Sequence, residues 1–197
     1  ENLKVTHYPD GNTIPLVTEN TVWANLGNND TDDAYCFINN NADNEADTYG
    51  ALYTWAAAMS GASTSNSNPS GVQGVCPAGW HMPSDDEWKE LEMHLGMSQT
   101  EANLTGYRGT NEGSQLAGNA SLWNSGSLTT DSAFGTSGFT ALPGGYRSNN
   151  GNFNFIGIGG YWWSSTEYLS SGAWRRILTY NYSEVHRNYN YMNVGFS

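Results

Sequence analysis

The chain has 197 residues, enough for one compact domain with a real core and a tight fit for a second. Seven Lys and Arg against nineteen Asp and Glu give a net charge of −12, which repels phosphate backbones and anionic lipid surfaces and excludes nucleic acid as an expected partner. Only 13% of residues are charged while Trp and Tyr are plentiful, which argues against a disordered acidic tail, and the absence of a run of about eighteen apolar residues argues against membrane insertion.

In chain order, Glu1-Asn2-Leu3-Lys4 lacks the apolar stretch of a signal peptide, so an exported protein would have lost its signal before this point. Tyr49, Leu52, Tyr53, Ala56 and Met59 recur at the spacing of one helix face, which predicts a first helix over 47–60. The stretch 61–74 is Ser, Asn, Gly and Pro with almost no apolar content, and reads as a surface loop. A second helix over 84–96 is better signalled. Ser84 and Glu87 form a capping box, Asp85 and Asp86 favour the positive helix end, Gly96 supplies a stop, and Trp88, Leu91 and Leu95 form the expected buried stripe.

Residues 96–135 are again rich in Gly, Asn and Ser, with one short helical turn expected at 113–117. The last third consists of short aromatic or branched runs between turn residues, at 139–142, 153–158, 162–165, 174–180 and 185–193. These read as antiparallel strands. Two helices followed by a strand meander predict an α+β domain spanning 1–197, with two helices packed on one side of a twisted antiparallel sheet and long loops between elements.

Several motifs in order resemble a known family, the Fibrobacter succinogenes major paralogous domain. They are Tyr49-Gly50-Ala51-Leu52-Tyr53-Thr54-Trp55, the run Cys76-Pro77-Ala78-Gly79-Trp80-His81-Met82-Pro83-Ser84-Asp85-Asp86-Glu87-Trp88, and Leu142-Pro143-Gly144-Gly145-Tyr146-Arg147. Gly160-Tyr161-Trp162-Trp163-Ser164-Ser165-Thr166-Glu167, Ala173-Trp174-Arg175-Arg176 and Gly195-Phe196-Ser197 extend the likeness over nearly the whole chain. The resemblance implies a C-type-lectin-like fold and a module of secreted proteins and lipoproteins, placed in the extracellular space or on the outer surface of a bacterial cell. It also implies trimmed ends, because the Trp-containing strand before Glu1-Asn2-Leu3 and the Val-Arg-Cys after Gly-Phe-Ser are missing.

Cys36 and Cys76 lack the C-x-x-C spacing of zinc or thioredoxin-type sites, and either they pair with each other or one has lost its partner at a trimmed end. A nucleophile elbow, a P-loop, a His-Glu-x-x-His helix and an EF-hand loop are all absent. His81, between Trp80 and Met82, reads as a buried, hydrogen-bonded histidine. The C-type-lectin-like fold is shared with sulfatase-modifying enzymes, which use cysteines, but two widely separated cysteines fit that chemistry poorly, and no enzyme is expected.

The expected function is recognition. Tyr168, Trp174, Tyr180, Tyr182, Tyr189 and Tyr191 stand among Arg175, Arg176 and Arg187, and Tyr, Trp and Arg dominate binding hot spots. Aromatic rings give large contact area at low entropy cost, and Tyr and Trp also stack on sugars, so an extracellular glycan or protein is the expected partner. On a strand, Arg187, Tyr189 and Tyr191 project to one face and His186, Asn188 and Asn190 to the other, so at most half can share a binding surface. The alternative is a self-associating subunit of an extracellular filament or surface layer, built by strand addition. Calcium is the expected ion, if any: Asn39, Asn40, Asn41, Asp43, Glu45 and Asp47 follow Cys36 closely, with Asn39, Asn41 and Asp43 as first candidates. The lectin sugar motifs Glu-Pro-Asn and Gln-Pro-Asp are not present.

Overall fold

The computed structural model describes residues 2–43 and 45–197. The helices are α1 (Asn20–Ala24), α2 (Glu45–Tyr49), α3 (Trp55–Met59), α4 (Asp85–His94), α5 (Gln99–Ala102), α6 (Glu112–Leu116) and α7 (Ser127–Thr130). The strands are β1 (Tyr35–Phe37), β2 (Ala51–Tyr53), β3 (Gly106–Arg108), β4 (Tyr146–Arg147), β5 (Phe153–Asn154), β6 (Gly159–Glu167), β7 (Ala173–Thr179) and β8 (Val185–Asn190). A four-stranded antiparallel sheet in the order β3-β8-β7-β6 forms the centre, and β1-β2 and β4-β5 are small antiparallel pairs. The architecture is α+β and is not a barrel.

The helix expected over 47–60 is three elements. Gly50 adopts φ +78° with Leu3 O within 2.6 Å of where a Cβ would stand, which ends α2. Ala51–Tyr53 then pairs with Tyr35–Phe37, and Thr54 Oγ1 caps α3 by accepting from Ala57 N. The residues that mimic a helical stripe are a fully buried strand between two short helices. Of the expected strands, 162–165 lies in β6, while 174–180 and 185–193 overlap β7 and β8, which end at Thr179 and Asn190. By contrast 153–158 stops after Asn154, where Phe155 turns the chain at φ +63°, and 139–142 contributes a single bridge from Ala141 to Ala117.

α4 starts at the expected capping box, with Ser84 Oγ accepting from Glu87 N and Glu87 Oε2 accepting from Ser84 N. Its buried face is Asp85, Trp88 and Glu92, at the i, i+3, i+7 spacing, while Leu91 and Leu95 are half-buried. Two acids sit on this inner stripe because the sheet presents three arginines to it. Arg176 and Arg187 are directly paired on β7 and β8, and Arg108 follows on β3.

The two faces of the sheet carry separate cores, so the helices do not share one side. On one face Trp162, Leu178 and Val185 pack with Trp88 of α4 and with Leu116, Trp123 and Leu128. On the other, Tyr161, Trp163, Ala173 and Ile177 pack with Trp55, Ala57 and Met59 of α3, Tyr53 and Phe196. A third cluster holds Trp23, Cys36, Ile38 and Leu52. Over it Arg147 stacks on Trp23 and donates to Gly151 O, Val17 O, Thr18 O and Asn20 Oδ1.

Between α4 and the sheet lies a buried ionic network. Asp85 Oδ1 accepts from Arg176 Nη1 at 2.7 Å and Asp85 Oδ2 from Arg187 Nη2 at 2.7 Å, with Lys89 Nζ 3.1 Å away. Glu92 bridges Arg176 Nε and Arg108 Nη2, both at 2.6 Å. Burial alone would raise the pKa of Asp85, but the hydrogen bonds and charges of Arg187 and Arg176 outweigh it and hold the carboxyl well below the usual range.

An Asp whose folded pKa lies below its unfolded value of about 3.9 stabilises the fold fully above that pH and loses the contribution as pH falls through the folded value. Asp85→Asn should therefore lower the unfolding free energy by about 3–5 kcal/mol at neutral pH, the cost of breaking a buried pair. Urea unfolding as a function of pH checks this: the gap between wild type and variant should narrow below about pH 4, and a gap independent of pH would contradict it.

Candidate functional site

The structure divides the nine residues expected to bind. Trp174, Arg176, Arg187 and Tyr189 share the α4 face of the sheet. Arg176 and Arg187 are corrected from surface to interior positions, since both are buried against Asp85, and Arg176 also against Glu92. Trp174 lies 3.7 Å under the Arg187 guanidinium, Tyr168 meets Trp174 edge to face, and Tyr189 stacks on Tyr168 at 3.9 Å. This trio covers the outer end of the ionic network, a structural task. Tyr180 packs against the Trp88 core, and Tyr191 is exposed beyond the end of β8.

The opposite face gathers a different set. Arg175 on β7, His186 on β8 and Tyr107 on β3 project to one side, because Ile177, two residues beyond Arg175, is opposite His186, and His186 is opposite Tyr107. Tyr182, in the β7–β8 turn, stacks on Tyr107 with centroids 3.9 Å apart, and the two rings are 39% and 40% exposed. Tyr107 Oη lies 3.0 Å from Thr179 Oγ1, and its ring meets His186 edge-on at 4.6 Å. These contacts fix the pair in place before any ligand arrives.

Arg175 is half-buried, with its guanidinium 5.7 Å from the Tyr161 ring centre and 5.3 Å from that of Phe196. Burial pulls its pKa down to about 10, against the opposite influence of Tyr161, Tyr146 and Tyr107, so the group stays charged at neutral pH. Beside it, His186 Nδ1 is buried without a hydrogen-bond partner. Tyr107 was missed from sequence because β3 is three residues long and sits inside a Gly- and Asn-rich stretch.

A concave feature adjoins the family-like Trp80-His81-Met82 run. A hollow of about 500 Å³ is lined by Tyr53, Cys76, Trp80, Phe139 and Trp162 among others, and a smaller apolar one of about 250 Å³ continues past Trp88. It offers apolar contact but few polar groups to orient a ligand. His81 is more exposed than expected, and its Nε2 lies 2.7 Å from Glu87 Oε1. The two cysteines are free thiols, which removes the Cys36–Cys76 pairing: Cys36 is sealed in the Trp23 core and Cys76 is half-buried at the edge of another. Burial pushes the Cys36 thiol up to about 12 and that of Cys76 to about 11, the reverse of what a reactive thiolate needs.

In the loop proposed for calcium, Asn39 and Asn40 turn the chain at φ 53° and 54°, Asn40 Nδ2 donates to Thr18 O, and Asn41 Oδ1 accepts from Asp43 N. Asn39 and Asp43 are exposed, and the Glu45 side chain lies outside the described residues. The contacts shown are those of a self-bonded turn. Among the described residues no group of three or more His, Cys, Asp or Glu is placed to hold a metal, and no helix is long and apolar enough to cross a membrane.

The class defined by these features is an α+β protein with a central antiparallel sheet cored on both faces and one aromatic, cation-bearing edge left open. The chain belongs to the Fibrobacter succinogenes major domain family, whose model matches residues 1–197. No curated protein and no solved structure shows significant similarity to it.

Burial, with the charges of Arg175 and Arg108, lowers the His186 pKa from 6.5 to about 4. A histidine neutral in the fold and protonated when unfolded contributes stability that is present above about pH 6.5 and lost as pH falls towards the folded value. An NMR titration of the ring should give a midpoint near 4, and a midpoint near 6.5 would show the ring to be solvated.

Proposed function

We propose that this chain is a secreted or cell-surface binding module that recognises an extracellular glycan or protein through the Tyr107–Tyr182 edge of its central sheet, without catalysing a reaction. The observation that carries the reading is the stacked, half-exposed tyrosine pair, held by contacts to Thr179 and His186 and flanked by the open cation of Arg175. Rigid tyrosines bind with little loss of side-chain freedom, and a neighbouring guanidinium supplies direction. A C-type-lectin-like fold and a location outside the cell accompany this reading, and family membership supports both.

The alternative, a filament subunit joined by strand addition, has less support because the nine-residue edge strand β6 is already occupied. Ser165 N donates to Pro83 O, Ser165 O accepts from Ser65 N, Glu167 N donates to Thr64 Oγ1, and Tyr161 O accepts from Ser197 N. Such coverage blunts an edge against added strands.

A glycan and protein array probed with wild type, Tyr107→Ala and Tyr182→Ala tests the reading. Each variant should lose about 1–3 kcal/mol of affinity for any ligand found while keeping its melting temperature. Tyr189→Ala, on the other face, should lower stability and leave affinity unchanged. Full affinity in both tyrosine variants would remove the site from this edge.

A further inference from the structure

The cations of the chain are placed unequally. Lys4 pairs with Asp47, Lys89 with Asp85 and Asp86, Arg108 with Glu92, Arg176 with Asp85 and Glu92, and Arg187 with Asp85. Arg147 lacks a carboxylate, but Nε and both of its terminal nitrogens donate to four acceptors. Arg175 alone among the described residues has neither arrangement. Its one hydrogen bond is long, Nε to Tyr189 O at 3.5 Å, and its two terminal nitrogens have no partner and are not sealed from solvent.

Among the described residues no carboxylate is placed against Arg175, in a chain that carries nineteen acids. Arg147 and Arg175 both lie over two aromatic rings, so stacking does not explain the difference. A stacked guanidinium directs its donors outward in its own plane, where a planar carboxylate is met by two parallel hydrogen bonds. On the same face stands the Tyr107–Tyr182 pair, braced by the His186 ring, and its open surface matches the apolar face of a sugar ring. A peptide carboxylate would use the cation equally well. The wide tyrosine surface beside it favours a ring that carries its own carboxylate.

Resting on the binding reading above, we propose that Arg175 and the Tyr107–Tyr182 pair, braced by His186, form a site for a carboxylated sugar of the uronic acid type. The guanidinium takes the carboxylate and the tyrosines carry the ring, with His186 packed edge-on behind Tyr107.

The test is calorimetric and NMR titration of the intact chain with trigalacturonate, its methyl ester, and a triglutamate peptide. The free acid should bind and shift the ring signals of Tyr107, Tyr182 and His186, while the ester, with the same ring and no charge, binds at least about tenfold more weakly, as expected for the loss of a charged hydrogen-bond pair. Arg175→Gln should erase that preference and Arg175→Lys restore only part of it, with circular dichroism unchanged. Should Arg175→Gln fail to fold, the acid-to-ester ratio of the wild type and the Tyr182→Ala variant decide instead. Equal binding of acid and ester, equal binding of the peptide, or no binding of the acid overturns the proposal. Tyr182-dependent binding of a neutral glycan with no acid preference would overturn the carboxylate site alone and leave the recognition edge standing.

Discussion

The fold depends on one buried ionic constraint, the clamp of Asp85 and Glu92 on Arg108, Arg176 and Arg187. These five side chains are nearly sealed from water, and they join a single helix to three neighbouring strands. Burying charges costs several kcal/mol per ion, so the network stabilises only in its complete geometry. That requirement fixes the position of α4 along the sheet: Asp85 and Glu92 are two helical turns apart, and only one placement satisfies both. An apolar stripe at the same positions would tolerate sliding.

The network leads outward to the surface. Arg187 completes its environment by lying over Trp174, and Trp174 is in turn covered by Tyr168 and Tyr189. Aromatic exposure on this face is thus the upper layer of a charge-shielding stack. On the other face the rings of Tyr161, Trp163 and Phe196 close the core, and the exposed rings beyond them shield no ion pair. Two patches of similar composition have different physical origins, and the second carries a guanidinium, that of Arg175, whose only hydrogen bond is a long one from Nε.

Local chemistry was legible in the sequence and long-range pairing was not. The start of α4 could be read because Ser84 and Glu87 cap their own helix within four residues, and Gly96 ends it. The three long strands could be read because aromatic and branched runs lie between turn residues. In contrast, 49–59 satisfies a helical period by accident, since a buried strand and a buried helix are both apolar and only the left-handed Gly50 separates them. Strand alternation correctly put Arg187 with Tyr189 and His186 on the reverse side, yet it carries no information on which side is wet when both are cored. Arg176 and Arg187 read as surface hot spots because their partner, Asp85, lies about a hundred residues earlier.

Confining arginine to the interior also shapes what the surface can meet. With Arg108, Arg147, Arg176 and Arg187 buried, the −12 balance leaves an exterior even poorer in cations than the composition suggests. At physiological ionic strength that field is screened beyond about 8 Å, whereas a carboxylate touching a half-desolvated guanidinium is screened far less. A densely charged polymer must bring many anions near the surface at once and is repelled along its length. A short ligand with one well-placed carboxylate meets the one cation among the described residues that lacks an acidic or backbone-carbonyl cage, so the general acidity of the chain acts as a filter on ligand charge density while Arg175 supplies the local attraction.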